Sequence, residues 1–394
     1  MQPRLRFPEF ENIGYSVSAL DAISEINPRV KELPSYFKYV DLESVKGGTI
    51  DFDTLIEYNA DNAPSRAQRV IGNNEILYAL VRPYQQNNIF IEHLDDSDYV
   101  ASTGYAQIKA NNINSRYLYY VLHTKKILDE VIKRCTGTSY PAINSSDLSS
   151  IDLDISSSVE EQAKIADFLS VVDKKITLLE QQQQAWKTYK QGMMQKLFSG
   201  ELRFKDEKCK EFPEWRIQKA KSLFKSVTNK KYDGTLPILS VTQDKGVIPR
   251  DESGIDIKAS QSSIESYKII DKGDFVISLR SFQGGIEYSE IRGICSPAYT
   301  VLKNTENIYD DFYKYLFKSS NFITRLSLTV EGIRDGKQIS YDNFGALNLI
   351  VPSLEEQKKI ADYLSGLDAK IDNITAQLEQ MREWKKGLLQ QMFV

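Results

Sequence analysis

The residues of this 394-residue chain best equipped for chemistry are forked and amide hydrogen-bond donors set in loops. Ser65, Arg66, Gln68 and Arg69 fall in APSRAQR, between two strand-like runs, and Pro64 predicts a loop there. A guanidinium fork fits guanine O6/N7, and a glutamine amide fits adenine N6/N7. Arg82, Tyr84 and Gln85, in VRPYQQNN, form a second loop, dense in amides and suited to base edges or phosphates. Thr138, Ser139 and Tyr140, in TGTSYP, offer hydroxyls and free N–H groups suited to phosphate contact. In the second half, Arg280, Ser281, Phe282 and Gln283 open RSFQGG, whose two glycines would let the backbone approach a nucleic acid closely. Arg334 and Lys337 flank the turn equivalent to Thr138. The plain alternative for each is a solvated loop or a tight turn. Lys230, Lys231 and Arg250 are basic but generic, of the kind usually solvated.

Bond-making chemistry is poorly supplied. The chain lacks a G-x-x-x-x-G-K-[ST] loop, because Gly332 to Lys337 is one residue short and no hydroxyl residue follows. It also lacks an F-x-G-x-G cofactor loop, an N/D-P-P-aromatic tetrapeptide and HExxH. Two histidines, His93 and His123, leave little for a metal site or a Ser-His-Asp triad. The expectation is a non-catalytic chain with no cofactor and no metal. Cys135, Cys209 and Cys295 are too scattered for a disulfide framework, which fits a reducing cytoplasm. No apolar run approaches the roughly 18 residues of a membrane span, and no signal peptide is visible. The net charge of −4 counts mildly against a nucleic-acid partner, although acidic residues concentrated on the helices and outer faces would soften that objection.

These loops need elements to hold them, and here the sequence is most informative. EEQAKIADFLSVVDKKI begins at Glu160, and EEQKKIADYLSGLDAKI at Glu355, 195 residues later. Steps of four and three from Ile165 reach Leu169, Val172, Ile176 and Leu179, then Gln183, Trp186, Lys190, Met193 and Leu197. From Ile360 they reach Leu364, Leu367, Ile371, Ile374, Leu378, Met381, Lys385, Leu388 and Met392. Each series is a coiled-coil seam, with a lysine at the same place in both copies (Lys190 and Lys385), where a polar residue sets register at some cost in stability. Ser158-x-x-Glu161 and Ser353-x-x-Glu356 read as capping boxes, and Gly200 as a C-cap. The copies can form a homodimeric coiled coil or pair with each other; antiparallel pairing within the chain, with a pseudo-two-fold axis, is the reading preferred here.

The globular halves repeat more loosely. Strand-like Ile151, Leu153 and Ile155 match Leu347, Leu349 and Val351, and single helices are expected around 115–133 and 309–328. Leu5-Arg6-Phe7 echoes Leu202-Arg203-Phe204 too briefly to carry weight, and Met1 to about Pro34 repeats poorly. The fold expected is α+β, in the order domain, long helix, domain, long helix. Nearly identical helices beside divergent domains suggest one scaffold presenting two different reading surfaces.

The doubled EEQ-x-KIADxLS…DxKI helix, CTGTSYPAINSSDL, VEGIRDGKQIS, APSRAQR, VRPY, RSFQGG and SPAY together resemble the specificity subunit of Type I restriction–modification systems, over essentially the whole chain. The resemblance implies two target-recognition domains (1–155 and 201–350), each followed by a conserved spacer helix (156–200 and 351–394), the two helices pairing antiparallel. It implies a bipartite double-stranded DNA target, two adenine methyltransferase subunits, restriction/translocase subunits, no membrane, and a bacterial or archaeal cytoplasm. Glu160, Glu161, Gln162 and Lys164, with their repeats Glu355, Glu356, Gln357 and Lys359, are expected to face outward and dock the methyltransferase subunits, with helix capping alone as the plain alternative for Glu161 and Glu356. The competing reading is a coiled-coil interaction scaffold that binds no DNA.

Overall fold

A serine hydroxyl starts each long helix. Ser158 Oγ accepts from the Glu161 amide at 3.1 Å and Ser353 Oγ from the Glu356 amide at 3.3 Å, satisfying donors that a first turn leaves orphaned. The helices then run unbroken over Val159–Ser199 and Leu354–Met392. The first stops at Gly200, whose φ of +77° is the left-handed conformation that glycine adopts without a Cβ clash. The glutamate half of each capping box does not form, because Glu161 and Glu356 turn inward to arginines.

This computed structural model describes all residues except Met1, Tyr232, Asp233, Asp244, 255–263, Arg280 and 330–338; the side chains of Lys46 and Phe282 are likewise not described. The chain divides into two units, Met1–Glu180 with Gln377–Val394, and Gln181–Ala376. Each long helix therefore gives one end to each unit.

In the first unit, strand Tyr15–Ala19 pairs antiparallel with Asp152–Ser156, the strand that feeds the long helix. An antiparallel sheet has the order Ser24–Ile26, Tyr105–Ala110, Glu75–Ala79, Ile89–Ile91, and a mixed sheet the order Ile56–Asn59, Tyr36–Val40, Tyr99–Ser102, Ala67–Val70. The second unit repeats the plan. Arg216–Lys219 pairs with Asn348–Val351, and an antiparallel sheet has the order Phe224–Val227, Thr300–Asn304, Phe275–Ile277, Glu287–Tyr288. Leu239–Thr242 forms a hairpin with Gly246–Pro249, and Lys268–Ile270 pairs with Gly293–Cys295. The helix expected around 115–133 is two, Ser115–Leu122 and Lys125–Arg134, and its repeat is Asp310–Leu316 and Ser320–Ser327. The break comes at Thr124 and Ser319, whose extended backbones cap the second helix of each pair; each hydroxyl also donates back to the carbonyl three residues earlier.

The apolar stripe of each helix start is core rather than surface. Ile165, Ala166, Leu169 and Val172 pack with Tyr117, Leu118 and Leu153, and the cluster is closed by Leu388, Met392 and Phe393 from the end of the other helix. In the second unit Ile360, Ala361 and Leu364 pack with Phe312, Tyr313 and Leu349, closed by Met194, Leu197 and Phe198. A fully buried side chain of this size contributes about 1.5–3 kcal/mol, so the borrowed helix end is a substantial part of each core. Antiparallel pairing is explicit within each unit: Arg382 meets Glu180 at 2.6 Å in the first, and Gln183 donates to Thr375 at 2.6 Å in the second.

Candidate nucleic-acid interface

The first candidate loop is partly a strand. Asn59 caps the turn Ala60–Asn62 through the Asp61 amide, Pro64 shapes the bend, and Ser65 and Arg66 are exposed at its tip. Gln68 and Arg69 lie on strand Ala67–Val70, where Gln68 spends a donor on the Ser65 carbonyl at 2.9 Å. The Arg69 guanidinium is half-buried at a cleft of about 420 Å³ lined by residues 27–33, and its Nε meets no acceptor. Burial lowers its pKa from the ordinary guanidinium value.

Two loops far apart in sequence meet at Arg82. Its backbone is left-handed (φ +51°), as is that of Gln86 (φ +51°), and the two bracket the turn Pro83–Gln85. Left-handed backbone is costly for non-glycine residues and here occurs twice in five residues. The Arg82 amide donates to the Pro141 carbonyl at 2.8 Å, and Thr136 and Ala142 exchange two 2.9 Å hydrogen bonds that close the turn. Gly137 has φ +88°, and a Cβ there would stand 3.1 Å from the Tyr140 carbonyl, so glycine is needed for the turn itself. The result lays the Arg82 guanidinium 4.3 Å from the centre of the Tyr140 ring. Tyr84, Gln85, Thr138, Ser139 and Tyr140 are exposed around it. Asn88, in the same amide-rich run, is buried and accepts from the Ala79 amide at 2.8 Å, so it serves the fold instead.

The second-half loop corrects two expectations. Ser281 is buried, and its hydroxyl accepts the Ser278 amide at 2.8 Å, which places it outside reach of a nucleic acid. The glycine freedom is used internally. At Gly285 (φ +84°) a Cβ would lie 2.1 Å from the Phe317 carbonyl oxygen. Gln283 is exposed beside Gln243. Arg280, Arg334, Lys337 and the side chain of Phe282 lie outside the described residues.

The helix-start clusters are only half outward. Glu160, Lys164, Glu355 and Lys359 are exposed. Gln162 and Gln357 are buried, and both ends of each amide are used. Gln162 accepts from the Asn114 amide at 2.9 Å and donates to the Ser156 carbonyl at 2.8 Å. Gln357 accepts from the Tyr309 amide at 2.9 Å and donates to the Pro352 carbonyl at 2.9 Å. These glutamines lock a helix to its domain and have no surface to offer a partner. Glu161 takes both forks of Arg6 at 2.6 and 2.7 Å, and Glu356 takes Arg203 at 3.0 and 2.9 Å plus the Trp215 indole at 2.8 Å. Phe7 packs edge-on against Phe168, and Phe204 likewise against Tyr363. The brief echo of LRF is therefore a repeated structural clamp.

One basic residue that the sequence reading set aside as generic also stands out. Arg250, at the start of the turn Arg250–Ser253, lies over the ring of Tyr267, 17 positions on. Nothing in the local sequence marks it. Among the described residues no His/Cys/Asp/Glu group could hold a metal ion, and no helix is long and apolar enough to cross a membrane.

The family described as Type I restriction modification DNA specificity domain matches residues 57–187 and 204–383. The type I restriction enzyme MjaVIII specificity subunit of Methanocaldococcus jannaschii is 25% identical over 385 residues, covering 91% of this chain and 85% of that protein. A chain from a solved structure on complex assembly and conformational transition of the type I R-M system superposes with TM-score 0.61 at 20% identity, covering 99% of each chain. The Type-I restriction-modification system S subunit from M. genitalium gives TM-score 0.57 at 17% identity, covering 100% of this chain and 99% of that one. Both structural likenesses concern the fold: tandem α+β domains with a long central and a long C-terminal helix.

Proposed function

The chain belongs to the Type I restriction modification DNA specificity domain family, and from that membership we propose that it is the DNA sequence-recognition subunit of a Type I restriction–modification complex. In this reading it is not itself an enzyme. It binds a bipartite duplex target and scaffolds two adenine methyltransferase subunits and a restriction subunit in the cytoplasm. Residues 1–155 and 201–350 are the readers, and 156–200 and 351–394 the spacer helices.

The observation that carries this reading is a contrast between equivalents. Around the helix starts the two units repeat side chain for side chain: Glu161 and Glu356 on arginines, Gln162 and Gln357 on backbone. At the outer loops they differ, with Arg82 on Tyr140 in one unit and a buried Ser281 beside Gly285 in the other. A constant support with variable tips suits two copies of one partner and two different DNA half-sites. The exposed Glu160, Lys164, Glu355 and Lys359 are the docking residues this leaves. The methyltransferase subunits supply cofactor binding and flip the target adenine.

The test is a methylation map of DNA from cells producing this chain with its methyltransferase partner. A split motif with methyladenine on both strands is expected. If no methylation depends on this chain while the partner stays folded and bound to it, the scaffold reading takes its place. Salt-dependent duplex binding excludes that scaffold reading.

A further inference from the structure

The described arginines sort by what holds them. Among those that are half-buried, Arg6, Arg116 and Arg203 meet carboxylates at 2.6, 2.7 and 2.9 Å. Arg134 and Arg325 donate to main-chain carbonyls at 2.9 and 2.5 Å. Three remain with neither, namely Arg69, Arg82 and Arg250, and each carries a shielded N–H with no acceptor. A guanidinium has five donors and cannot shed its charge, so leaving one shielded and unpaired costs its unit stability. Such a residue is poorly explained by its own fold, and a small movement on binding would bring its shielded N–H to an acceptor from outside.

Arg250 is the one of the three that no sequence motif suggested, and its setting is the most ordered. Its amide is fixed to the Ile238 carbonyl at 2.9 Å. Its guanidinium carbon stands 5.6 Å from the Tyr267 ring centre, and Nη2 donates to the Tyr267 hydroxyl at 3.2 Å. Tyr267 is held in turn, being 8% exposed in a cluster with Ile269 and Ile294. A guanidinium laid on an anchored ring keeps its plane and loses little further freedom when it forms a forked pair. Arg82 on Tyr140 is the same device in the first unit, built from unrelated loops.

We propose that Arg250, oriented by Tyr267, is a DNA-reading residue of the second unit that presents its fork to two adjacent acceptors on the duplex. The proposal rests on the DNA-specificity reading above. The acceptors are either O6 and N7 of a guanine or two oxygens of a phosphate.

The experiment uses the full chain with its methyltransferase partner and compares wild type, Arg250→Ala, Arg250→Lys and Tyr267→Phe in the methylation map and in duplex binding across a salt series. If the acceptor is guanine, Arg250→Ala relaxes one G·C position in one half-site only, with roughly 5- to 150-fold less discrimination there, and lysine does not restore it. If the acceptor is phosphate, the motif is unchanged, binding weakens on all sequences and the salt slope falls by about one. Either result supports the proposal. Wild-type motif, affinity and salt slope in both Arg250 variants overturn it. Should Arg250→Ala fail to fold, Arg250→Gln takes its place in both arms, because it loses the charge as well as the fork, and wild-type motif, affinity and salt slope in it overturn the proposal. Failure of the specificity reading is distinguishable, because it abolishes methylation dependent on the wild-type chain.

Discussion

Lys385 Nζ lies 2.6 Å from Asp173 Oδ1, joining the end of the second long helix to the start of the first. The Tyr120 hydroxyl donates to the same carboxylate at 2.8 Å. In the other unit the trio is Lys190, Asp368 and Tyr315, each 195 residues from its equivalent. The polar residue at the seam is thus given a defined partner, and the partner exists in one antiparallel register only. A double-mutant cycle of Lys385→Ala with Asp173→Asn is expected to give a coupling of about 0.2–1 kcal/mol, since the pair is partly exposed. The cycle on Lys190 and Asp368 is expected to agree within about 0.5 kcal/mol, and the two to add, because they share no partner. Urea unfolding of wild type, the four single variants, the two double variants and the quadruple variant measures this.

A larger effect is expected where the carboxylate is fully enclosed. Glu161 is 0% exposed and takes a two-pronged bond from Arg6. Arg6→Ala leaves that charge with the Ser156 hydroxyl alone and is expected to cost the first unit about 3–5 kcal/mol. Arg203→Ala leaves Glu356 with the Trp215 indole and is expected to cost the second unit a comparable amount. Denaturant midpoints of the two variants measure both costs, and a change below 1 kcal/mol in either would remove the clamp as an explanation of how the helix starts are held.

Gly285 separates a fold role from a nucleic-acid role. Its φ of +84° and the Phe317 carbonyl leave no room for a Cβ. Gly285→Ala is expected to destabilise the second unit by about 2–4 kcal/mol, with the first unit's transition unchanged. A variant of wild-type stability that bound DNA poorly would restore the surface role first expected of this loop.

Two desolvated groups, one in each unit, are expected to contribute to acid stability with opposite signs. Desolvation pushes the Asp274 carboxyl up to about 6, despite Lys303 at 3.8 Å. Its folded form then binds a proton more readily than the unfolded chain does, so this residue's contribution to stability falls as pH rises from about 4 to 6. Desolvation lowers the His123 imidazole to about 4 from 6.5. Its contribution is intact above 6.5 and is lost as pH falls toward 4. Relative to wild type, Asp274→Asn should therefore flatten one slope of melting temperature against pH and His123→Gln the opposite one. Matching slopes in wild type and variant would rule out either assignment.

What could be read in the chain alone was whatever depends on spacing. Residues at steps of three and four share a helix face whatever surrounds them, so Ile165, Leu169 and Val172 announced a seam and Gly200 its end. The same spacing could not tell core from contact surface. It grouped Gln162 with Glu160 and Lys164, whereas one turn of helix places Gln162 against the Asn114 amide and leaves the other two in water. Composition likewise offered arginines without saying which were spent. Arg6 and Arg203 sat in an echo too brief to carry weight and are clamps, and Arg250 looked generic and is held on a ring.

The tertiary structure decided every pairing that spans distant sequence. Arg82 meets Tyr140 across 58 residues because the Arg82 amide and the Pro141 carbonyl close one hydrogen bond between two turns. Gly285 owes its identity to a carbonyl 32 residues away. Local propensity and periodicity act over a few residues and fix elements, whereas which donors are left uncommitted depends on every neighbour that folding brings in.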